Sequence, residues 1–139
     1  MSAIGRKLPV ADTNQVKMDA LVAVIKMTNT LSDIGDVIRR YKARTNDEGA
    51  AAWATVPCAP DVQMHIPKFE VEAVGSEEID AKVFGLIAST GIRQELVGIR
   101  EFGRYVTCFL RLTDGDNEWD SVEVFLFNEH DQVTEIWSL

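Results

Sequence analysis

The 139-residue sequence lacks most features of secreted, membrane-spanning or nucleic-acid-binding proteins. It has two cysteines, Cys58 and Cys108, far apart in apolar surroundings. We expect buried free thiols and a reducing, cytoplasmic location, with a single disulfide as the alternative. Basic residues number 14 against 22 acidic ones, and the net charge of −8 argues against nucleic acid or an anionic membrane as a partner. No apolar run approaches the roughly 18 residues that span a bilayer, and we find no signal peptide.

Metal and cofactor motifs are also missing from the sequence. Its two histidines, His65 and His130, have no local metal-ligand spacing. There is no glycine-rich phosphate loop, calcium loop or nucleophile-elbow motif. We therefore expect no metal, and expect any bound small molecule to be handled without a cofactor.

What is present is an ordinary globular mixture, 46% apolar and 26% charged, of a length that suits one domain with a small appendage. Two segments carry apolar residues at the i, i+3, i+4, i+7 spacing of an amphipathic helix. They are Met18, Leu21, Val22 and Ile25 in the first segment, and Ile34, Val37, Ile38 and Tyr41 in the second. Ser32 is the predicted N-cap of the second helix.

The rest of the chain changes from helical to strand patterns. A short helix carries Trp53 and ends at Pro57, a short strand spans Val62–Ile66, and a further helix begins near Gly75 and ends at Gly91. Turn clusters then separate four predicted strands. These are Glu95–Glu101, Arg104–Leu112, Trp119–Phe127 and Gln132–Leu139. Helices followed by an antiparallel meander predict an α+β fold.

The predicted strand Trp119–Phe127 is apolar on both faces. Val122, Val124 and Leu126 lie on one face, and Phe125 and Phe127 on the other. In a sheet that is covered on one side only, apolar and polar residues should alternate along each strand. Since this strand is apolar on both faces, something must cover the second face. We expect a second copy of the chain, giving a homodimer through the sheet face, with the N-terminal helix as the rival explanation.

The order and spacing of several short segments resemble the nuclear-transport-factor-2-like superfamily. More narrowly, the chain is similar to the branch that contains ketosteroid isomerase, the SnoaL-like polyketide cyclases and limonene-epoxide hydrolase. The resembling segments are Val37–Ala43 with Asn46–Asp47, Trp53 to Val62, Met64–Pro67, Gly75–Ile79, Val122–Asn128 and Val133–Trp137. The resemblance divides the chain into an N-terminal tail and extra helix at residues 1–30 and a cone domain at 31–139. It implies a cone-shaped cystatin-like roll, with N-terminal helices packed on a curved, mainly antiparallel sheet.

The resemblance implies roles for two residues that the patterns place inside. Tyr41 matches a tyrosine that donates a hydrogen bond to a developing oxyanion in the isomerase, and the alternative is a core tyrosine. Glu123 interrupts an apolar strand on the face shared by Phe125 and Phe127. It matches an aspartic acid kept protonated by an apolar site. The alternative is an ion pair between Glu123 and Arg104 or Arg111 on the neighbouring strand.

His65 is the third candidate. The isomerase base lies just before the proline of this strand, where the chain has Ile66. In limonene-epoxide hydrolase a polar residue two positions before that proline helps to hold the water, and His65 occupies this place. We expect His65 to move a proton, and the alternative is a strand-end histidine. Asp120, Arg111, Glu95 and Ser138 are lesser candidates. The last aspartate of the hydrolase relay falls on Ser138, which disfavours epoxide hydrolysis.

The predicted function is a cofactor-independent isomerase, cyclase or dehydratase for a hydrophobic, oxygenated small molecule. Tyr41, His65 and Glu123 are the predicted catalytic residues. The predicted pocket lining is Trp53, Ile66, Phe84, Phe109, Phe125, Ile136 and Ser138. The alternative is a non-catalytic ligand-binding or dimerisation module of the same fold, since fold alone does not settle function.

Overall fold

The computed structural model describes residues 14–20 and 30–139. Residues 14–20 are helical, as predicted, while the rest of the predicted N-terminal helix lies outside the described residues. The chain divides after Thr30, and residues 31–139 form one compact unit. Within the described residues no helix is both long and apolar enough to cross a membrane.

Helix α1 (Asp33–Glu48) follows the predicted N-cap Ser32 and buries the predicted apolar face, including Ile34, Ile38 and Tyr41. The Ser32 side chain does not cap the helix itself. Its backbone N–H and hydroxyl both donate to the Glu101 carboxylate, at 2.7 Å each. A short helix α2 (Ala50–Trp53) continues from α1 and buries Trp53.

Six strands form a single curved sheet. They are β1 (Cys58–Ile66), β2 (Val71–Val74), β3 (Arg93–Phe102), β4 (Tyr105–Asp114), β5 (Asn117–Phe127) and β6 (Val133–Ser138). Their order is β2-β1-β6-β5-β4-β3, and β1 and β6 pair in parallel while all other neighbours are antiparallel. The four strands of the meander confirm the predicted pattern. Strand β2 was not predicted, and β1 is longer than expected.

The two faces of the sheet differ in what covers them. The inner face packs against the core and carries Glu123, Phe125 and Ile136, all buried. We call the opposite side, which carries Val97, Phe109, Val122, Val124, Leu126 and Trp137, the outer face. Alternation along β5 therefore places Glu123 inside, as the sequence predicted.

The segment between β2 and β3 holds the predicted helix, but not as one regular element. It consists of α3 (Ser76–Ile79), one π-helical turn (Asp80–Phe84) and α4 (Gly85–Thr90). Gly91 ends it in the left-handed conformation, with φ of 72°. Short π turns inside α-helices are frequent at functional sites.

Cys58 and Cys108 are free thiols, as expected. Burial raises the pKa of Cys58 to about 11 and that of Cys108 to about 12. Both are therefore protonated at neutral pH and are poor nucleophiles.

Candidate functional site

A small cavity lies between α1, the segment Ser76–Thr90 and the inner face of the sheet. Most of its lining is apolar and four lining residues are polar. The apolar ones are Met64, Ile66, Phe69, Val83, Leu86, Ile87, Ile92 and Leu112, and the polar ones are Tyr41, Gln94, Glu123 and Ser138. Its volume of about 40 Å³ is close to the space of one water molecule.

An ion pair underlies the polar end of this cavity. Lys42 Nζ lies 2.5 Å from Glu123 Oε1, and both side chains are almost wholly inaccessible to solvent. Lys42 Nζ also donates to Gln94 Oε1 at 2.8 Å. Burial by itself lowers the pKa of Lys42, but the charge and hydrogen bond of Glu123 together with the neighbouring Tyr41 and Cys108 outweigh it, and the pKa lies above its ordinary value. Lys42 is therefore an ammonium ion at neutral pH, which rules out a role as an amine nucleophile.

The pairing corrects one expectation about Glu123. The resemblance implied an acid that donates a hydrogen bond, whereas Glu123 Oε1 lies 2.5 Å from the Lys42 ammonium group, which can only donate. The partner also differs from the predicted arginines. Arg104 pairs with Asp131 at 2.5 Å, and Arg111 lies 3.4 Å from Asp120 on the outer face. Glu123 thus enters the cavity as a hydrogen-bond acceptor.

Tyr41 lies beside Glu123 in the cavity wall and is held by aromatic contacts. Its ring meets Trp53 edge-on at 5.3 Å between centroids and Phe125 at 6.4 Å. Burial raises the pKa of the Tyr41 phenol to about 12. The phenol therefore keeps its proton at neutral pH and can donate a hydrogen bond to a ligand oxygen.

His65 does not belong to this site, and its predicted role in the cavity is wrong. Met64 and Ile66 line the cavity, so the alternation of β1 sends the His65 side chain to the outer face. There His65 stacks on Trp137 with 4.1 Å between ring centroids. Its two ring nitrogens bond to Glu72 and, at 3.0 Å, to Glu135.

The predicted lining residues fall into three groups. Ile66 and Ser138 line the cavity. Trp53, Phe84, Phe125 and Ile136 are buried in the surrounding core without lining it. Phe109 was predicted to line the pocket, but it lies on the outer face with 42% of its surface exposed, because inward Cys108 and Leu110 flank it on β4. The lesser candidates Asp120, Arg111 and Glu95 are exposed and outside the cavity.

The sequence reasoning missed Lys42 and Gln94. Lys42 follows Ile38 by four residues and precedes Thr45 by three, so it shares their buried helix face. That spacing was the available signal, although a lysine beside an apolar stripe usually extends to solvent. Among residues 14–20 and 30–139, no group of three histidine, cysteine or acidic side chains could hold a metal ion.

Comparisons with known proteins identify the fold. No family model matches the sequence, and no curated protein matches it. A structure described as a candidate ketosteroid isomerase from Kribbella flavida shares 17% identity over 81% of this chain and 79% of its own, with a TM-score of 0.63. A candidate polyketide cyclase from Sinorhizobium meliloti shares 10% identity over 75% of this chain and 94% of its own, with a TM-score of 0.64. A Burkholderia pseudomallei protein described as NTF2-like, of unknown function, shares 15% identity over 78% of this chain and 91% of its own, with a TM-score of 0.66.

These neighbours establish the predicted NTF2-like, cystatin-like fold. At such identities the likeness concerns the fold alone.

Proposed function

We propose that the chain is an enzyme that moves a proton next to the carbonyl group of a hydrophobic small molecule. The observation that supports this most directly is the buried Lys42–Glu123 pair behind a mostly apolar cavity that Tyr41 also lines. A buried ion pair adds little stability compared with apolar residues of similar volume. Clustered buried ionisable groups in a cavity are typical of functional sites.

In the proposed mechanism, Glu123 is the general base and Tyr41 the hydrogen-bond donor. The Glu123 carboxylate removes a proton from the carbon beside the carbonyl, and the electron pair moves into the C–C–O system to form an enolate. The Tyr41 phenol donates to the enolate oxygen as negative charge develops. Returning the proton to another carbon gives isomerisation, while loss of a neighbouring hydroxyl gives dehydration. Attack of the enolate on a second carbonyl gives cyclisation.

Lys42 and Gln94 position the base. Lys42 pairs with the Glu123 carboxylate and donates a hydrogen bond to the side-chain oxygen of Gln94. Gln94 lines the cavity and its side-chain amide nitrogen has no hydrogen-bond partner among the described residues, so this nitrogen is available to a ligand oxygen. A substrate must enlarge the cavity. The wall best suited to move is the segment Ser76–Thr90, whose Leu86 and Ile87 are only half-buried.

The test uses 2-acetonaphthone, an apolar methyl ketone, in D₂O. We expect the protein to accelerate exchange of the methyl protons, measured by NMR. Glu123→Gln should reduce the rate by about 10²-fold or more and Tyr41→Phe by about 10–10³-fold. Glu95→Gln is the matched control, since Glu95 is exposed outside the cavity and its loss should leave the rate unchanged.

A second candidate function is ligand binding without catalysis. The lining favours it, since its apolar walls and the polar side chains of Tyr41, Gln94 and Ser138 can hold an oxygenated apolar molecule whether or not Glu123 reacts with it. Calorimetric binding of the ketone without exchange by the wild-type protein would select this function. Exchange that is equal in the wild type and in Glu123→Gln would also contradict the catalytic roles.

We also propose that a second copy of the chain covers the outer face. Val97 is 57% exposed and Phe109 42% exposed there, next to half-buried Val122 and Val124. Together they form a contiguous apolar surface of the kind that marks protein contacts. Pairing by a two-fold axis would bury this surface on both copies at once.

A further inference from the structure

Three side chains away from the polar end of the cavity form a cluster beside its opening. We call Lys68, Phe69 and Trp119 the entrance cluster. Phe69 lines the cavity and is only half-buried, which places it at the rim. Trp119 pairs across the sheet with Leu112, another half-buried lining residue, so Trp119 lies on the inner face beside that rim.

Aromatic and cationic contacts hold the cluster together. The Phe69 and Trp119 rings meet at 6.4 Å between centroids in an edge-on arrangement. Lys68 Nζ lies 4.0 Å from the centroid of the Trp119 ring. A cation above an indole face at this distance is attracted to the ring, which favours this placement of the ammonium group.

The Lys68 charge is not neutralised within the described part of the chain. No carboxylate there forms an ion pair or hydrogen bond with it. The two acids next to Trp119 in sequence point to the outer face, where Glu118 lies 3.7 Å and Asp120 3.4 Å from Arg111. A protein with a net charge of −8 therefore presents an unpaired cation at the rim of an apolar cavity.

We propose that Lys68 binds an anionic group of the substrate at the entrance. The substrate would then be an apolar, ring-containing molecule with a carboxylate or similar anionic oxygen group at one end and a carbonyl group at the other. Its anion pairs with Lys68, its ring contacts Phe69 and Trp119, and its carbonyl reaches Tyr41. The position of the carbonyl rests on the proposed function, whereas the Lys68 contact does not.

The test compares two probes that differ only in charge, 6-acetyl-2-naphthoate and 6-acetyl-2-naphthamide. Calorimetry of the full chain should show the carboxylate binding about three- to tenfold more tightly than the amide, as expected for one partly exposed charged pair. Lys68→Gln should remove this preference and leave the amide affinity within twofold of the wild-type value. Lys68→Arg should keep the preference, since the positive charge remains.

Lys82→Gln is the matched control. Lys82 is an exposed lysine that already pairs with Glu78 at 3.0 Å, so its loss changes the net charge equally without touching the entrance. Higher salt should weaken carboxylate binding and leave the amide unaffected. The proposal is overturned if Lys68→Gln and Lys82→Gln reduce the preference equally, or if the wild type shows none. The proposed function is judged separately: it survives either of these results if the wild-type protein binds the amide and exchanges its methyl protons. If neither probe binds, both proposals fail.

Discussion

At the scale of single residues, the Lys42–Glu123 pair makes each partner depend on the other. A charge deprived of its partner in a buried site is much less stable than a charge in water. Here the two groups are 2.5 Å apart and closed off from solvent. The pair should therefore behave as a unit in stability measurements.

We predict that Lys42→Met lowers the free energy of unfolding by about 3–5 kcal/mol, because it leaves the Glu123 carboxylate buried without its cation. Urea denaturation followed by circular dichroism measures the change.

The control is the double variant Lys42→Met/Glu123→Leu. It should regain most of the lost stability, since no uncompensated charge remains. A double variant as unstable as Lys42→Met alone would contradict the interdependence of the pair.

The pH dependence of stability should carry a contribution from His65. Burial by itself lowers the His65 pKa, but the hydrogen bonds to Glu72 and Glu135 outweigh it and the pKa lies above the ordinary 6.5. The folded state thus holds the proton more tightly than the unfolded state. The stabilisation is complete below about pH 6.5 and is lost as the pH rises through the folded-state pKa.

The prediction is tested by measuring the unfolding free energy from pH 5.5 to 9 for the wild type and for His65→Gln. The wild type should lose part of its stability across this range, and His65→Gln should lose less. His130→Gln is the matched control, because His130 is an exposed turn residue. Parallel wild-type and His65→Gln curves would contradict the shift.

At the scale of elements, the start of α1 is stabilised by a strand far away in sequence. Glu101 on β3 accepts both hydrogen bonds from Ser32, and it approaches α1 at Gly35. A Cβ on residue 35 would lie 2.0 Å from Glu101 Oε1. A Cβ at residue 35 would therefore displace the Glu101 carboxylate from its hydrogen bonds with Ser32.

We predict that Gly35→Ala destabilises the protein by about 1–2 kcal/mol, because the two hydrogen bonds from Ser32 to the Glu101 carboxylate are lost. Gly85→Ala is the matched control, because a Cβ at residue 85 meets nothing within 4 Å. That change should add about 0.5–1 kcal/mol of stability. In a Glu101→Ala background Gly35→Ala should no longer destabilise, and persistent destabilisation there would contradict the explanation.

The elements also show which patterns the sequence could reveal. Alternation along β5 correctly placed Glu123 inside, because its apolar partners Phe125 and Phe127 fix the phase. The same alternation on β1 points His65 outward. Strand β2 has only four residues, and the π turn has no distinct pattern of apolar spacing, so neither could be predicted. The volume of the cavity depends on side-chain packing among distant segments, which no local pattern encodes.

At the scale of the whole molecule, the proposed pairing through the outer face can be tested directly. We predict that the wild type sediments as a dimer and that Phe109→Lys sediments as a monomer, because the new charge would be buried between copies. Ala88→Lys adds the same charge on exposed α4, away from the sheet, and should remain a dimer. A monomeric wild type would contradict the proposal.

The position of β6 in the sheet determines when the fold can be completed. This last strand of the chain lies in the middle of the sheet, between β1 and β5. Its parallel pairing with β1 joins segments that are far apart in the sequence, such as Met64 with Ile136. During synthesis, β1 with β2 and β3 with β4 and β5 can form separately, but they cannot be joined until β6 has left the ribosome. Closing such distant contacts is slow, so the partly made unit exposes its unfinished sheet edges until β6 pairs with β1 and β5.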